Sequence, residues 1–94
     1  MRTIERSTAF KRDYKRVKAT TRHAKDIEDL LIEVLGLLLT DQPLPAHNRD
    51  HPLSGDWAGY RDCHIKPDLV LIYGKADSDA LRLARLGSHS ELFK

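Results

Sequence analysis

The chain has 94 residues, 40% of them hydrophobic and 32% charged, and a formal net charge of +2 at pH 7. These values fit a single soluble domain over residues 1–94 with one modest core, and they exclude a disordered chain. The lone Cys63 excludes an internal disulfide and points to a reducing, cytoplasmic setting, and no apolar run approaches the ~20 residues that a membrane span or the shorter core that a secretory signal would need.

Residues 2–6 fit a short strand. Ser7 or Thr8 can then cap a helix, because a side-chain hydroxyl accepts from an unpaired first-turn N–H. In that helix Phe10, Tyr14 and Val17 recur at helical spacing as one apolar stripe, with Lys11, Arg12, Lys15, Arg16 and Lys18 largely elsewhere. Residues 1–25 hold nine Lys/Arg against two acids, while residues 26–50 hold one Arg against six acids. A basic segment of this kind either supplies a phosphate-facing surface or is a solvated helix face.

A second helix is expected over 23–39, where Ile27, Leu30, Leu31, Val34, Leu35 and Leu38 hold the helical period. Gly36 costs it about 1 kcal/mol relative to alanine, and Pro43 and Pro45 end it. The short break near Thr20 and Thr21 favours an antiparallel hairpin. Residues 47–56 are polar and turn-rich. Residues 57–65 alternate and read as a strand, Pro67-Asp68 as a turn, and residues 69–73 as the clearest strand, apolar and rich in β-branched and aromatic side chains. After a turn at 77–79, residues 80–86 alternate again, with Leu81, Leu83 and Arg85 on one face and Arg82 and Ala84 on the other. The resulting order, β-α-α-β-β-β with short final links, predicts an α+β layer: a two-helix hairpin on one face of a mainly antiparallel sheet, the other face free for a site.

Four of the five histidines lie in the C-terminal half. Histidine exchanges protons near neutral pH. RNA cleavage beside a 2′-hydroxyl needs a base for that hydroxyl, an acid for the leaving 5′-oxygen, and a cation for the developing phosphorane charge. The nucleophile is already attached to the phosphate, so no metal is needed to activate water. Each candidate has a plainer alternative. His51 lies in a polar loop, Asp68 follows a proline where aspartate forms turns, and Ser88 can cap a terminal turn that makes His89 incidental. Asp62 and His64 alternate along a strand and therefore share a face, either solvent or a site. Phe93 is either core or a base-stacking platform. His47 and His51 have zinc-binding spacing if helical, but Pro45 and Pro52 bracket them. Cys63 and His64 should point to opposite faces, so Cys63 reads as core filler. No metal site, Gly-rich phosphate loop or cofactor is expected.

The stretch from His51 through Trp57, Tyr60, Arg61, His64 and Asp68 to Tyr73, with the tail Arg85-Leu-Gly-Ser-His-Ser-Glu-Leu-Phe93, resembles the YafQ branch of the RelE/ParE toxin superfamily. The resemblance covers nearly the whole chain and implies a RelE-like, microbial ribonuclease-like fold with a curved sheet. It implies the toxin of a type II toxin–antitoxin pair that enters the ribosome and cuts mRNA. It also implies a cognate antitoxin as partner, with promoter DNA met only through their complex. By this resemblance the functional positions are His51, His64, Asp68, His89 and Phe93, with Asp62 in support. His51 or Asp68 is then the base, His89 the acid, and Arg85 with His64 stabilise the transition state. Phe93 holds a base, and Lys11, Arg12, Lys15, Arg16 and Lys18 meet ribosomal RNA. Leu86 stands where a small residue such as threonine is expected, and Cys63 where alanine is common. The competing functions are a catalytically silent module acting in an antitoxin complex on DNA, and a topoisomerase poison.

Overall fold

A computed structural model describes residues 2–75 and 77–93. The elements in chain order are β1 (Thr3–Arg6), α1 (Thr8–Ala19), α2 (Ile27–Leu39), β2 (His51–Pro52), β3 (Arg61–Lys66), β4 (Leu69–Gly74), β5 (Ala80–Gly87) and α3 (His89–Leu92). The strands form one sheet in the order β1-β5-β4-β3-β2. β1 runs parallel to β5, and the other neighbours are antiparallel. The expected α+β class is therefore present, with two additions: the two-residue β2 at the sheet edge and the terminal α3.

Ser7 caps α1, its Oγ accepting from the Phe10 N–H at 2.9 Å. The hydroxyl also donates to the Ala84 carbonyl at 2.7 Å, tying the helix start to β5. α2 begins at Ile27 rather than at His23. Residues 20–26 are turns instead, and Asp26 at the helix start makes no side-chain cap. One face of the sheet meets both helices. Phe10, Val17, Ile27 and Leu31 pack there on Leu71, Leu81 and Leu83, and Cys63 fills this core as expected, its thiol pushed up by burial.

The opposite face is not bare. Val70, Ile72, Ala84 and Leu92 form a second, smaller core under Leu53, Trp57, Tyr60 and Phe93, so β4 is buried along its whole length. The strand expected over 57–65 begins only at Arg61. Gly55 and Gly59 take left-handed φ values of 64° and 91°, and Gly55–Trp57 forms a short 3-10 turn. The Leu53 N–H donates to the Tyr60 carbonyl at 2.9 Å, closing the loop. Trp57 and Tyr60 meet edge-on at 5.4 Å and cover the second core instead of extending the ladder.

The alternation in β5 is also interrupted. Tyr73 pairs with Leu83 but Ile72 pairs with Arg85, a register shift that leaves Ala84 over. Such a bulge re-aims side chains. Leu81, Leu83 and Leu86 thus line the helix-side core, and Arg85 leaves the face on which alternation placed it.

Candidate functional site

Asp62 is the centre of the second face. It lies on β3 opposite His51 of β2 and Ile72 of β4, and it is 1% exposed. Alternation along β3 puts Asp62 and His64 on the side of Ile72 and Val70, and Cys63 on the side of Leu71. His51 Nδ1 stands 2.9 Å from Asp62 Oδ1 and 3.0 Å from the Arg49 carbonyl. The ring N–H is aligned with the carbonyl, so neither carboxylate oxygen of Asp62 accepts an aligned hydrogen bond. Burial raises the Asp62 pKa, and the charges of His51, His64 and His89 pull against that rise. Three imidazoles from β2, β3 and α3 therefore converge electrostatically on one desolvated carboxylate.

Each imidazole has a separate support. The loop before His51 is pinned by buried Asn48, whose Nδ2 donates to the His64 carbonyl at 2.8 Å. His64 is half-buried, with Nδ1 3.4 Å from the Pro67 carbonyl. His89 opens α3, a single turn held by a capping box: Ser88 Oγ accepts from the Glu91 N–H, and the Glu91 carboxylate accepts from the Ser88 N–H. Leu92 anchors that turn in the second core. His89 itself is exposed, and its ring lies 4.7 Å from that of Phe93 at an interplanar angle of 42°. Phe93 is half-buried, with its remaining face beside the histidine.

Two expected members carry ion pairs of their own. Asp68, in the β3–β4 turn, pairs with Arg22 at 2.6 Å. Arg85 pairs with Asp13 at 2.6 Å. Lys11, Arg12, Lys15, Arg16 and Lys18 are all exposed on α1. Lys18 pairs with Glu28 at 3.6 Å and lies 5.7 Å over the Tyr14 ring. Arg16 reaches Asp13 and Glu91. Among the described residues Lys11, Arg12 and Lys15 form no ion pair.

Sequence reasoning passed over two further charged groups. Asp50 accepts from Tyr73 Oη at 2.5 Å and from Arg61 at 3.3 and 3.2 Å, bracing the start of β3 behind Asp62. The paired carboxylate holds the Arg61 pKa up. Asp13 is buried on α1, although it counted in the sequence only as one of two acids in a basic segment. Its position between Phe10 and Val17 at helical spacing was the available signal: an acid on the apolar stripe must have partners.

Among the described residues no three His, Cys, Asp or Glu side chains gather closely enough to hold a metal ion, and no helix is long and apolar enough to cross a membrane. What the cluster can do is exchange protons at neutral pH around a fixed negative charge, beside an aromatic ring able to stack on a base.

The chain is 42% identical over 92 residues to a protein of Escherichia coli (strain K12) named mRNA interferase toxin YafQ, covering 98% of this chain and 96% of that one. A chain in the crystal structure of the E. coli DinJ-YafQ complex superposes with a TM-score of 0.83 at 42% identity, over the full length of both. A metal-bound toxin from Helicobacter pylori superposes with a TM-score of 0.85 at 46% identity, over 99% of this chain and all of the other. The family described as bacterial toxin of type II toxin-antitoxin system, YafQ, matches residues 2–94, and this chain belongs to it.

Proposed function

We propose that the protein is the toxin of a type II toxin–antitoxin pair and acts as a ribosome-dependent mRNA endoribonuclease. The observation that carries this reading is His51 standing 2.9 Å from buried Asp62, with His64 on the same face of β3 and His89 on the turn beside the half-exposed ring of Phe93. It is joined by the similarity to a protein named an mRNA interferase over nearly the whole chain.

The chemistry follows from the groups present. A base takes the proton of the RNA 2′-hydroxyl, whose oxygen attacks the adjoining phosphorus. An acid gives a proton to the departing 5′-oxygen. His51 is favoured over Asp68 as the base, because Asp68 is occupied by Arg22 whereas His51 borders Asp62. His89 is the acid, on a turn where Phe93 can stack the neighbouring base. His64, protonated, stabilises charge on the phosphorus oxygens. The Asp62 carboxylate, 2.9 Å from His51 Nδ1, steadies the positive charge that forms on His51 as it takes the proton. Products are a 2′,3′-cyclic phosphate and a 5′-hydroxyl.

A small cognate antitoxin keeps the enzyme silent in the cytoplasm, as the DinJ-YafQ complex of the E. coli relative supports, and promoter DNA is met only through that complex. The basic face of α1 meets ribosomal RNA. The test is cleavage of a defined mRNA on programmed ribosomes, with and without a zinc-selective chelator that leaves the ribosomal Mg²⁺ in place, followed by end-group analysis. Expected are 5′-hydroxyl ends, chelator resistance, and a loss of ~10²–10⁴-fold in His89→Ala. Ends carrying 5′-phosphate, or equal activity in wild type and His89→Ala, would refute the assignment. A wild type that cuts nothing yet binds antitoxin and DNA would make it a silent module.

A further inference from the structure

Arg85 lies in register with Ile72 and is held by Asp13, and its surroundings suggest what that hold does. β1 follows β5 only as far as Arg6 opposite Leu83. Beyond that point β5 has no strand on this side, and Arg85 reaches over the open edge to α1. Its Nε donates to Asp13 Oδ2 at 2.6 Å and its Nη2 to Oδ1 at 3.3 Å. The Leu86 N–H donates to Oδ2 at 3.0 Å and Arg16 Nη1 to Oδ1 at 3.2 Å. Asp13 is 3% exposed.

A buried ion pair is seldom needed for stability, since well-packed apolar side chains serve as well or better. Here the carboxylate fixes one edge of a guanidinium. Among the described residues Arg85 Nη1 has no hydrogen-bond partner, so the opposite edge is left free in a set direction. That edge borders a groove of about 380 Å³ lined by Ala9, Arg12, Asp13, Arg16 and Arg85. Three guanidinium groups line the groove against the Asp13 carboxylate, and with Glu91 beside Arg16 counted as well the groove is still net positive. It adjoins the turn that carries His89. A Cβ on Gly87 would stand 3.2 Å from Arg16 Nη2 and 3.1 Å from Glu91 Oε1, so the absence of a side chain there gives these two groups room to approach each other between α1 and α3.

We infer that the α1–β5 groove binds a backbone phosphate of the RNA strand next to the one being cut, and that Asp13 is the positioning residue that presents the free edge of Arg85 to it. A guanidinium fork recognises phosphate oxygens in pairs, and holding it beforehand removes the cost of ordering it. The inference rests on the ribonuclease reading, because an RNA strand must already lie across His89 to bring a phosphate here.

The test is single-turnover cleavage on programmed ribosomes, titrated in enzyme at several salt concentrations, for wild type, Arg85→Gln, Arg12→Gln, Asp13→Asn and the Asp13→Asn/Arg85→Gln double variant. Arg85→Gln should raise the half-saturating concentration about ten-fold and lower the salt slope by about 0.7, the share of one phosphate contact. Asp13→Asn should do nearly the same, the double variant should be no worse than Arg85→Gln alone, and the saturated rate should hold. Additive defects, an unaltered half-saturation in Asp13→Asn, or a loss confined to the saturated rate would overturn the inference. If Asp13→Asn fails to fold, unchanged half-saturation in both Arg85→Gln and Arg12→Gln overturns it. Equal loss of antitoxin binding with intact cleavage would assign the groove to an acidic protein segment and overturn it too. A wild type that leaves RNA whole fails the ribonuclease reading itself, an outcome distinct from all of these.

Discussion

Asp13 and Asp62 are both almost fully buried, yet the protein treats them in opposite ways. Asp13, at the α1–β5 edge, accepts from two arginines and a backbone N–H. Burial alone would raise its pKa, but the hydrogen bonds from Arg85 and Leu86 and the charges of Arg85 and Arg16 bring it below the ordinary value. Asp62, under the histidines, has no aligned donor, and burial wins there, raising its pKa. A fully served carboxylate is scaffolding that fixes its neighbours. An underserved one is costly to keep charged, and that cost is tolerated where function needs the charge.

The largest effect should come from breaking the underserved member. Asp62→Asn should reduce cleavage by on the order of 10²-fold, because His51 loses the negative charge that steadies it as it takes up the proton, and it should also raise the melting temperature. An Asp62→Asn variant that is both less stable and fully active would reverse the contrast. Asp13→Asn should leave the saturated cleavage rate in place and, beyond its effect on half-saturation, lower stability. A loss of about 2 kcal/mol by urea denaturation is expected, less than the roughly 3–5 kcal/mol for severing a fully buried pair, because the Arg85 side chain is 30% exposed.

The two carboxylates should also give opposite pH slopes. Asp13, with its pKa depressed in the folded state, stabilises the fold above the unfolded value of ~3.9, and that contribution is lost as pH falls through the lower, folded pKa. Asp62, with its pKa raised, favours the fold while protonated, and that contribution is lost as pH rises from the unfolded toward the folded pKa. Urea midpoints measured from acid to neutral pH should therefore lose part of their acid-side fall in Asp13→Asn, and part of their decline with rising pH in Asp62→Asn. Identical profiles for both variants would erase the distinction. The smallest effect lies away from both sites: Gly36 faces open space on α2, so Gly36→Ala should stabilise by about 0.5–1 kcal/mol with no change in cleavage.

Much of this was legible in the sequence, for reasons that differ along the chain. The helical stripes and the apolar run of β4 announced themselves because periodicity reports burial directly. Alternation correctly set Asp62 and His64 on one face and Cys63 on the other. The break before β3 was hidden because Trp57 and Tyr60 are good strand residues, and only the positive φ at Gly59 shows that they fold over the sheet. β2 is too short to carry a pattern. That His89 lies near Asp62 depends on β5 being the neighbour of β4, a tertiary fact with no local signature. Arg85 was misplaced because a one-residue bulge cancels alternation without altering composition.

His89 and Phe93, the proposed acid and stacking ring, hang on one short turn, α3. α3 closes on its own capping box and a single buried leucine, and it follows the last strand of the sheet. A chain ending at Gly87 would keep all five strands and both long helices. It would lose Leu92 burial, worth about 1.5–3 kcal/mol, together with His89 and Phe93. If the protein is the toxin proposed above, the codons just after Gly87 are a cheap place for it to be disarmed. A stop or frameshift there would remove His89 and Phe93 and leave the strands and both long helices standing, so inactive copies should be recognisable by lesions at that point rather than by damage spread along the reading frame.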